Sequence, residues 1–248
     1  MSGSYRSERL DVIAASEKAH FWHAPRRYLL LAVLRRYSVS VAGPILDVGC
    51  GTGTLVNTLV DEGFDAYGVD PWAEERGLPR DRFTVAELDT LPFTTARFSA
   101  ACLFDVLEHV EEATSLAEIR RVLRPGGWLF VSVPAYMCLW GPRDEAAGHR
   151  RRYSRKSLSR ALEGNGFDVV GLFGFQALLL PAFAAARAWG RWLGDETALE
   201  HEDRPGRIAN GILRLINEME VRLPWALRPR VGSSLIGICR RREPVQAS

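Results

Sequence analysis

Glycines and acidic residues fall at the ends of apolar runs through the first half of the chain. The clearest case is Pro44-Ile45-Leu46-Asp47-Val48-Gly49-Cys50-Gly51-Thr52-Gly53. Ile45, Leu46 and Val48 read as a strand, and Leu55, Val56, Leu59 and Val60 follow at helical spacing. Glycines at a strand-to-helix turn permit positive φ and let the backbone come close to a ligand. The helix that starts there presents free N–H groups and a positive dipole end to an anionic group. This turn is suited to a nucleotide-like molecule.

Carboxylates recur at matching places. Asp70 ends the short strand Ala66-Tyr67-Gly68-Val69, 23 residues after Asp47, where an acidic side chain can accept both hydroxyls of a ribose. The segment Phe83-Thr84-Val85-Ala86-Glu87-Leu88 comes next, then Leu103-Phe104-Asp105-Val106-Leu107-Glu108-His109-Val110. A helix with Leu116, Ile119 and Leu123 on one face, a breaker at Arg124-Pro125-Gly126-Gly127 and an apolar strand Trp128 to Val133 complete the series. Alternation of helix and strand predicts a parallel sheet covered on both faces, with ligands beyond the carboxyl ends of the strands. Asp47, Asp70, Glu87 and Asp105 would then share one surface; each is otherwise a solvated loop residue or a helix cap.

The glycine spacing discriminates between cofactors. Nicotinamide and flavin enzymes use G-x-G-x-x-G; here the third glycine comes one residue early and Thr54 stands in the dinucleotide position. The ordered set of motifs resembles the class I S-adenosylmethionine (SAM) methyltransferases over roughly residues 40–173, and again at 234–240. The resemblance implies an α/β, doubly wound, Rossmann-like sheet of seven strands, mostly parallel with an antiparallel last strand. It implies SAM contacts at Asp47, Gly49, Cys50, Gly51 and Gly53, at Asp70 and Pro71, at Glu87 and Leu88, and at Phe104 and Asp105. Glu87 stands where the family usually has aspartate. Relatives carry a helix over the pocket, which puts Trp22 over the cofactor and Arg26 beside its carboxylate; Trp22 is otherwise a staple to the core. The implied activity is methyl transfer to an oxygen or nitrogen of a small molecule, of natural-product or lipid-linked sugar type. An NAD(P)-dependent oxidoreductase and a non-catalytic SAM-binding partner protein are the alternatives.

An oxygen acceptor needs a base of near-neutral pKa. The loop after the fifth strand offers His149 as that base and Tyr153 as an orienting hydroxyl, just ahead of a helix capped by Ser154. Structural hydrogen bonds are the plainer role for both. His109 is the rival base, or a capping residue. Arg150, Arg151, Arg152, Arg155 and Lys156 are either a clamp for an anionic acceptor or a solvated face.

A chain of 248 residues accommodates a single domain over 1–248, with an N-terminal helical lid at 1–40 and a helical insert at 174–231 between strands six and seven. That insert is far longer than a hairpin loop. It holds an Ala/Leu-rich run from Gln176 to Trp192, and Ile208, Ile212, Leu215, Ile216, Met219 and Leu223 at helical spacing. It is expected to cover the substrate or form a homodimer contact, with peripheral membrane contact as the third use; the plainer alternative is that its helices pack on each other and on the sheet. A net charge of +2 gives no case for nucleic acid. The four cysteines lack C-x-x-C spacing, so no metal set is expected, and they read as small buried residues in a reducing compartment. The polar N-terminus shows no secretory signal, and a cytoplasmic location is expected.

Overall fold

The computed structural model describes residues 20–37, 43–75, 77–185 and 206–243. Its strands are β1 (Ile45–Val48), β2 (Ala66–Val69), β3 (Phe83–Thr84), β4 (Phe98–Phe104), β5 (Leu123–Pro134), β6 (Phe167–Phe175) and β7 (Ser234–Arg241). They form one sheet in the order β3-β2-β1-β4-β5-β7-β6. β1, β2, β3, β4 and β5 pair in parallel, and β7 runs antiparallel between β5 and β6. The expected fold is therefore the observed one.

Both faces of the sheet are covered, which explains why β1 and β4 are nearly continuous apolar runs. On one face α1 (His23–Arg36) and α2 (Thr54–Asp61) bury Leu29, Leu30, Val33, Val56 and Leu59 against Ile45, Ala100, Phe130 and Ile238. On the other, α3 (Glu112–Val122) and α5 (Arg155–Gly164) bury Leu116, Ile119, Leu158 and Leu162 against Leu46, Leu129 and Val131. Ser154 caps α5 as expected, its hydroxyl accepting the Ser157 amide at 3.1 Å. Strand order reverses between β1 and β4, and this switch point opens the crevice at their carboxyl ends.

Two local expectations change. Arg124-Pro125-Gly126-Gly127 is a bulge within β5 and not a turn before it: Leu123 already pairs with Phe98, and regular pairing resumes at Ala100 with Trp128. Gly126, at φ 69°, makes the extra residues fit. Cys138 is exposed, whereas Cys50, Cys102 and Cys239 are buried as expected.

The insert begins after β6. Its residues 180–185 are helical, and α6 (Arg207–Val221) leads back toward β7. Arg187, Arg191 and Trp192 lie outside the described residues, as do residues 1–19 of the expected lid. α6 faces the protein with polar side chains. Asn217 is buried and donates to the Phe21 carbonyl at 2.9 Å, and Asn210 accepts the Phe21 amide at 2.9 Å. Buried Glu220 accepts the Leu178 amide at 3.2 Å. Ile208, Ile212, Leu215 and Met219 are exposed among the described residues, Ile208 to 82%.

Gly49 carries a strict requirement. It sits at φ 75°, and a Cβ there would come within 2.5 Å of the Val106 side chain. Left-handed backbone costs a non-glycine residue about 1–2 kcal/mol, and forcing Val106 aside adds about 1–3 kcal/mol. Gly49→Ala is expected to lower stability by a few kcal/mol on these terms, read as a fall in the urea midpoint at unchanged m-value.

Candidate active site

The loop from β1 to α2 has all three glycines at positive φ, 75° at Gly49, 50° at Gly51 and 72° at Gly53. Asp70, at the end of β2, holds this loop from below. One carboxylate oxygen accepts the Gly51 amide and the other the Trp72 amide, each at 2.9 Å. Each oxygen keeps a second lone pair for another donor. Gly68 lacks a side chain because a Cβ there would meet Cys50 Sγ at 2.8 Å and the Phe83 ring at 2.7 Å. Burial, with Asp47 and Asp70 nearby, pushes the Cys50 thiol far up, so it stays neutral.

A cavity of about 630 Å³ runs from this loop across the ends of β2, β4 and β5. It brings together Trp22, Arg26, Gly49, Cys50, Gly51, Asp70, Pro71, Glu87, Leu88, Phe104, Asp105 and His149 of the expected site. Leu88 is buried and Glu87 is exposed at the rim. Asp47 is buried and lines a small side pocket with Gly49 and Arg26, and Gly53 lines neither space. Arg26 is paired with Asp105, which also accepts the Ser132 hydroxyl at 2.9 Å. Asp105 has a φ of 53°, strain of the kind that collects at functional sites. Trp22 forms one wall, with the Arg143 guanidinium 5.3 Å over its ring and Phe183 of the insert 6.4 Å away.

The opposite wall is built from the loops after β4 and β5. His149 Nδ1 lies 2.7 Å from Asp144 Oδ1. A proton on Nδ1 completes that bond and leaves the lone pair on Nε2, which faces Glu108 at 4.0 Å. Asp144 is buried, at the N-terminal end of α4 (Pro142–Ala147), and also accepts from Arg152 at 2.8 Å and from the Gly141 amide at 2.9 Å. Burial alone would raise its pKa, but the bonds from His149 and Arg152 hold it well below the usual carboxylate range. His109 lies beside His149, ring centroids 4.8 Å apart, with Nδ1 at 3.4 Å from the Gly148 carbonyl. Glu108 is fully buried, and neither of its carboxylate oxygens has a hydrogen-bond partner. Burial pushes its pKa up to about 8, with its own backbone amide and the charges of Arg26 and Arg152 tempering the rise.

The structure does not bring Tyr153 into the cavity. Its ring is buried in the core, and its hydroxyl donates to Glu112 at 2.6 Å. Burial and that carboxylate push the phenol far up. Tyr153→Phe is expected to cost about 1.5–3 kcal/mol of stability, the worth of one buried hydrogen bond to a charged group, with kcat little changed. The basic run is neither one clamp nor one solvated face. Arg151 pairs with Glu112 at 2.9 Å, Arg152 supports Asp144, Arg155 donates to the Leu172 carbonyl, and exposed Arg150 lines the cavity. Asp144 and the buried state of Glu108 escaped the sequence reading, since neither sits in a patterned run.

The family model described as "Methyltransferase domain" matches residues 21–172. The chain belongs to this methyltransferase family. An uncharacterized methyltransferase of Mycobacterium tuberculosis (strain ATCC 25618 / H37Rv) is 32% identical over 126 residues, 49% of this chain and 46% of the relative. A ubiquinone biosynthesis O-methyltransferase of Xylella fastidiosa (strain M23) is 32% identical over 152 residues, 53% of this chain and 61% of the relative. The chain thus spans about half of the curated relatives it matches. Among solved structures, the 1,6-didemethyltoxoflavin-N1-methyltransferase of Burkholderia thailandensis, with bound 1,6-didemethyltoxoflavin and S-adenosylhomocysteine, has the same fold. Its TM-score is 0.52 at 17% identity, covering 98% of this chain and 92% of that one.

SAM is the cofactor of this methyltransferase family, and the residues present fit it. The loop glycines leave a cradle that side chains would fill, as Gly49 and Gly68 show. Asp70 lines the cavity at the end of β2 with lone pairs to offer, and a cavity of this volume accommodates a nucleoside-sized ligand with an acceptor beside it.

Proposed function

We propose that the chain is a SAM-dependent methyltransferase acting on an oxygen or nitrogen of a small molecule. One observation supports this most: a single cavity joins the Gly49–Asp70 cradle to a wall carrying His149 backed by Asp144. SAM, when bound, supplies the methyl group. Asp47, the loop glycines, Cys50, Asp70, Pro71, Glu87, Leu88, Phe104 and Asp105 are the residues we assign to holding it, with Trp22 over it and Arg26 fixing Asp105. His149 Nε2 is the group we place against the acceptor's proton. Asp144 fixes its tautomer and stabilises the charged ring that results.

The names of the relatives favour a small-molecule acceptor, one acting on a ubiquinone precursor and the other on 1,6-didemethyltoxoflavin. We read residues 20–37 as the described part of a lid over the cavity, latched by Asn210 and Asn217 of the insert. The outward stripe of α6 supports a homodimer or peripheral membrane contact through the insert; among the described residues no helix is long and apolar enough to cross a membrane. Buried free thiols at Cys50, Cys102 and Cys239 support a cytoplasmic location.

The reading is tested by incubating the protein with methyl-labelled SAM and a panel of catechols, phenols and heterocyclic amines. Label transferred to a small-molecule product supports it. SAM binding without transfer to any acceptor class would favour a non-catalytic binding protein.

A further inference from the structure

We propose that Glu108, His109 and His149 form a site for a divalent transition-metal ion on the acceptor wall of the cavity. Each offers one ligand atom, and these atoms lie within 4.8 Å of one another. Three features point to an ion and not to a chance cluster. Glu108 is fully buried with both oxygens lacking hydrogen-bond partners, and it lines the cavity. A buried carboxylate without partners is costly, and a cation supplies the missing interaction. His149 presents its second nitrogen to Asp144 at 2.7 Å, the carboxylate–imidazole arrangement that orients metal-binding histidines. His109 presents Nδ1 to a backbone carbonyl at 3.4 Å, the other common form of that support.

The geometry is close to what coordination requires. Ligands about 2.1 Å from a shared ion in tetrahedral array stand about 3.4 Å apart. The His149–Glu108 separation is 4.0 Å and the three ligand atoms lie within 4.8 Å, so the side chains rotate inward to seat an ion. Two imidazoles and one carboxylate favour zinc or a neighbouring first-row ion over magnesium or calcium, which prefer all-oxygen shells. Three protein ligands leave a coordination position open toward the cavity. The charges of Arg26 and Arg152 reach Glu108, but neither guanidinium gives its oxygens a hydrogen bond; Arg152 is bonded to Asp144 and Arg26 is paired with Asp105.

This site departs from the metal-free expectation, because the three ligands come from two loops whose approach no sequence spacing announces. With an ion seated, His149 coordinates instead of receiving the proton, and an acceptor hydroxyl bound to the ion gives its proton to solvent more readily. The proposal stands on the side-chain cluster alone. Failure to bind SAM would overturn the methyltransferase reading and leave this one untouched.

The experiment is calorimetric titration of Zn2+ into the full chain, free of any affinity tag and stripped with a chelator. Mg2+ titration and the absorption spectrum with Co2+ run alongside. The expected result is one Zn2+ per chain, tighter than Mg2+, with at least tenfold weaker binding in Glu108→Gln and His149→Ala, and a Co2+ spectrum without a thiolate charge-transfer band. Asp144→Asn is expected to weaken binding about 10- to 100-fold as a supporting residue. Glu108→Gln preserves volume and resembles the neutral acid that burial favours, and circular dichroism checks the fold of both variants. No Zn2+ binding by wild type, binding unchanged in both variants, or a thiolate band pointing to a cysteine would each overturn the proposal.

Discussion

Asp70→Ala is expected to weaken binding of SAM and S-adenosylhomocysteine at least 100-fold. Asp70 has two functions that one substitution removes together. Its carboxylate ties the Gly51 and Trp72 amides at 2.9 Å each, so the glycine loop keeps its shape through it. Its remaining lone pairs face the place where the family resemblance puts a ribose. Hydrogen bonds to a charged group contribute about 1.5–3 kcal/mol each, and two of them correspond to about 100-fold or more in affinity. Asp70→Asn keeps the shape and one acceptor oxygen, so it should fall between wild type and alanine. Calorimetry on the three proteins reads this directly, with thermal melting to confirm that the variants are folded. Equal affinity in wild type and alanine variant would remove Asp70 from the binding site.

The second large effect is on turnover. In the chelator-stripped protein, where the His149 ring is available to take the proton, His149→Ala should lower kcat by about 10²–10⁴, the range for loss of a positioned acid–base group, with SAM affinity nearly unchanged. His149 and Asp70 line the same cavity, and we assign His149 to the acceptor and Asp70 with the glycine loop to the cofactor, which is why the two variants should separate kcat from cofactor affinity. Asp144→Asn should fall between, since it disturbs the His149 tautomer without removing the ring. An unchanged kcat in His149→Ala would show that the acceptor's proton leaves by another route and would leave the ring as a structural hydrogen-bond donor to Asp144.

The cofactor half of the site could be read from local sequence because local rules govern it. Gly49, Gly51 and Gly53 announce their backbone angles, and Asp70 follows a strand that its own residues define. The acceptor half depends on tertiary placement. Glu108 and Asp144 meet His149 only because β4 and β5 are neighbours in the sheet, with Phe104 paired to Ser132, so that their exit loops converge. Nothing in either loop has a period. Tyr153 shows the reverse error: its position before a helix is correct, but its ring turns into the core beneath Ala135, to which it is bridged. The apolar spacing of α6 marked a helix correctly but did not say which face turns inward. Asn217 and Glu220 are its buried residues, because they bond the backbone at Phe21 and at Leu178, and backbone needs polar partners.

The measurement that tests the central claim most directly is calorimetric titration of the wild-type chain with S-adenosylhomocysteine and, separately, with NADH. S-adenosylhomocysteine binding at one site per chain in the micromolar range or tighter, with no heat from NADH, is the predicted result. NADH binding in the absence of any S-adenosylhomocysteine binding would contradict the account and leave only the α/β fold in place.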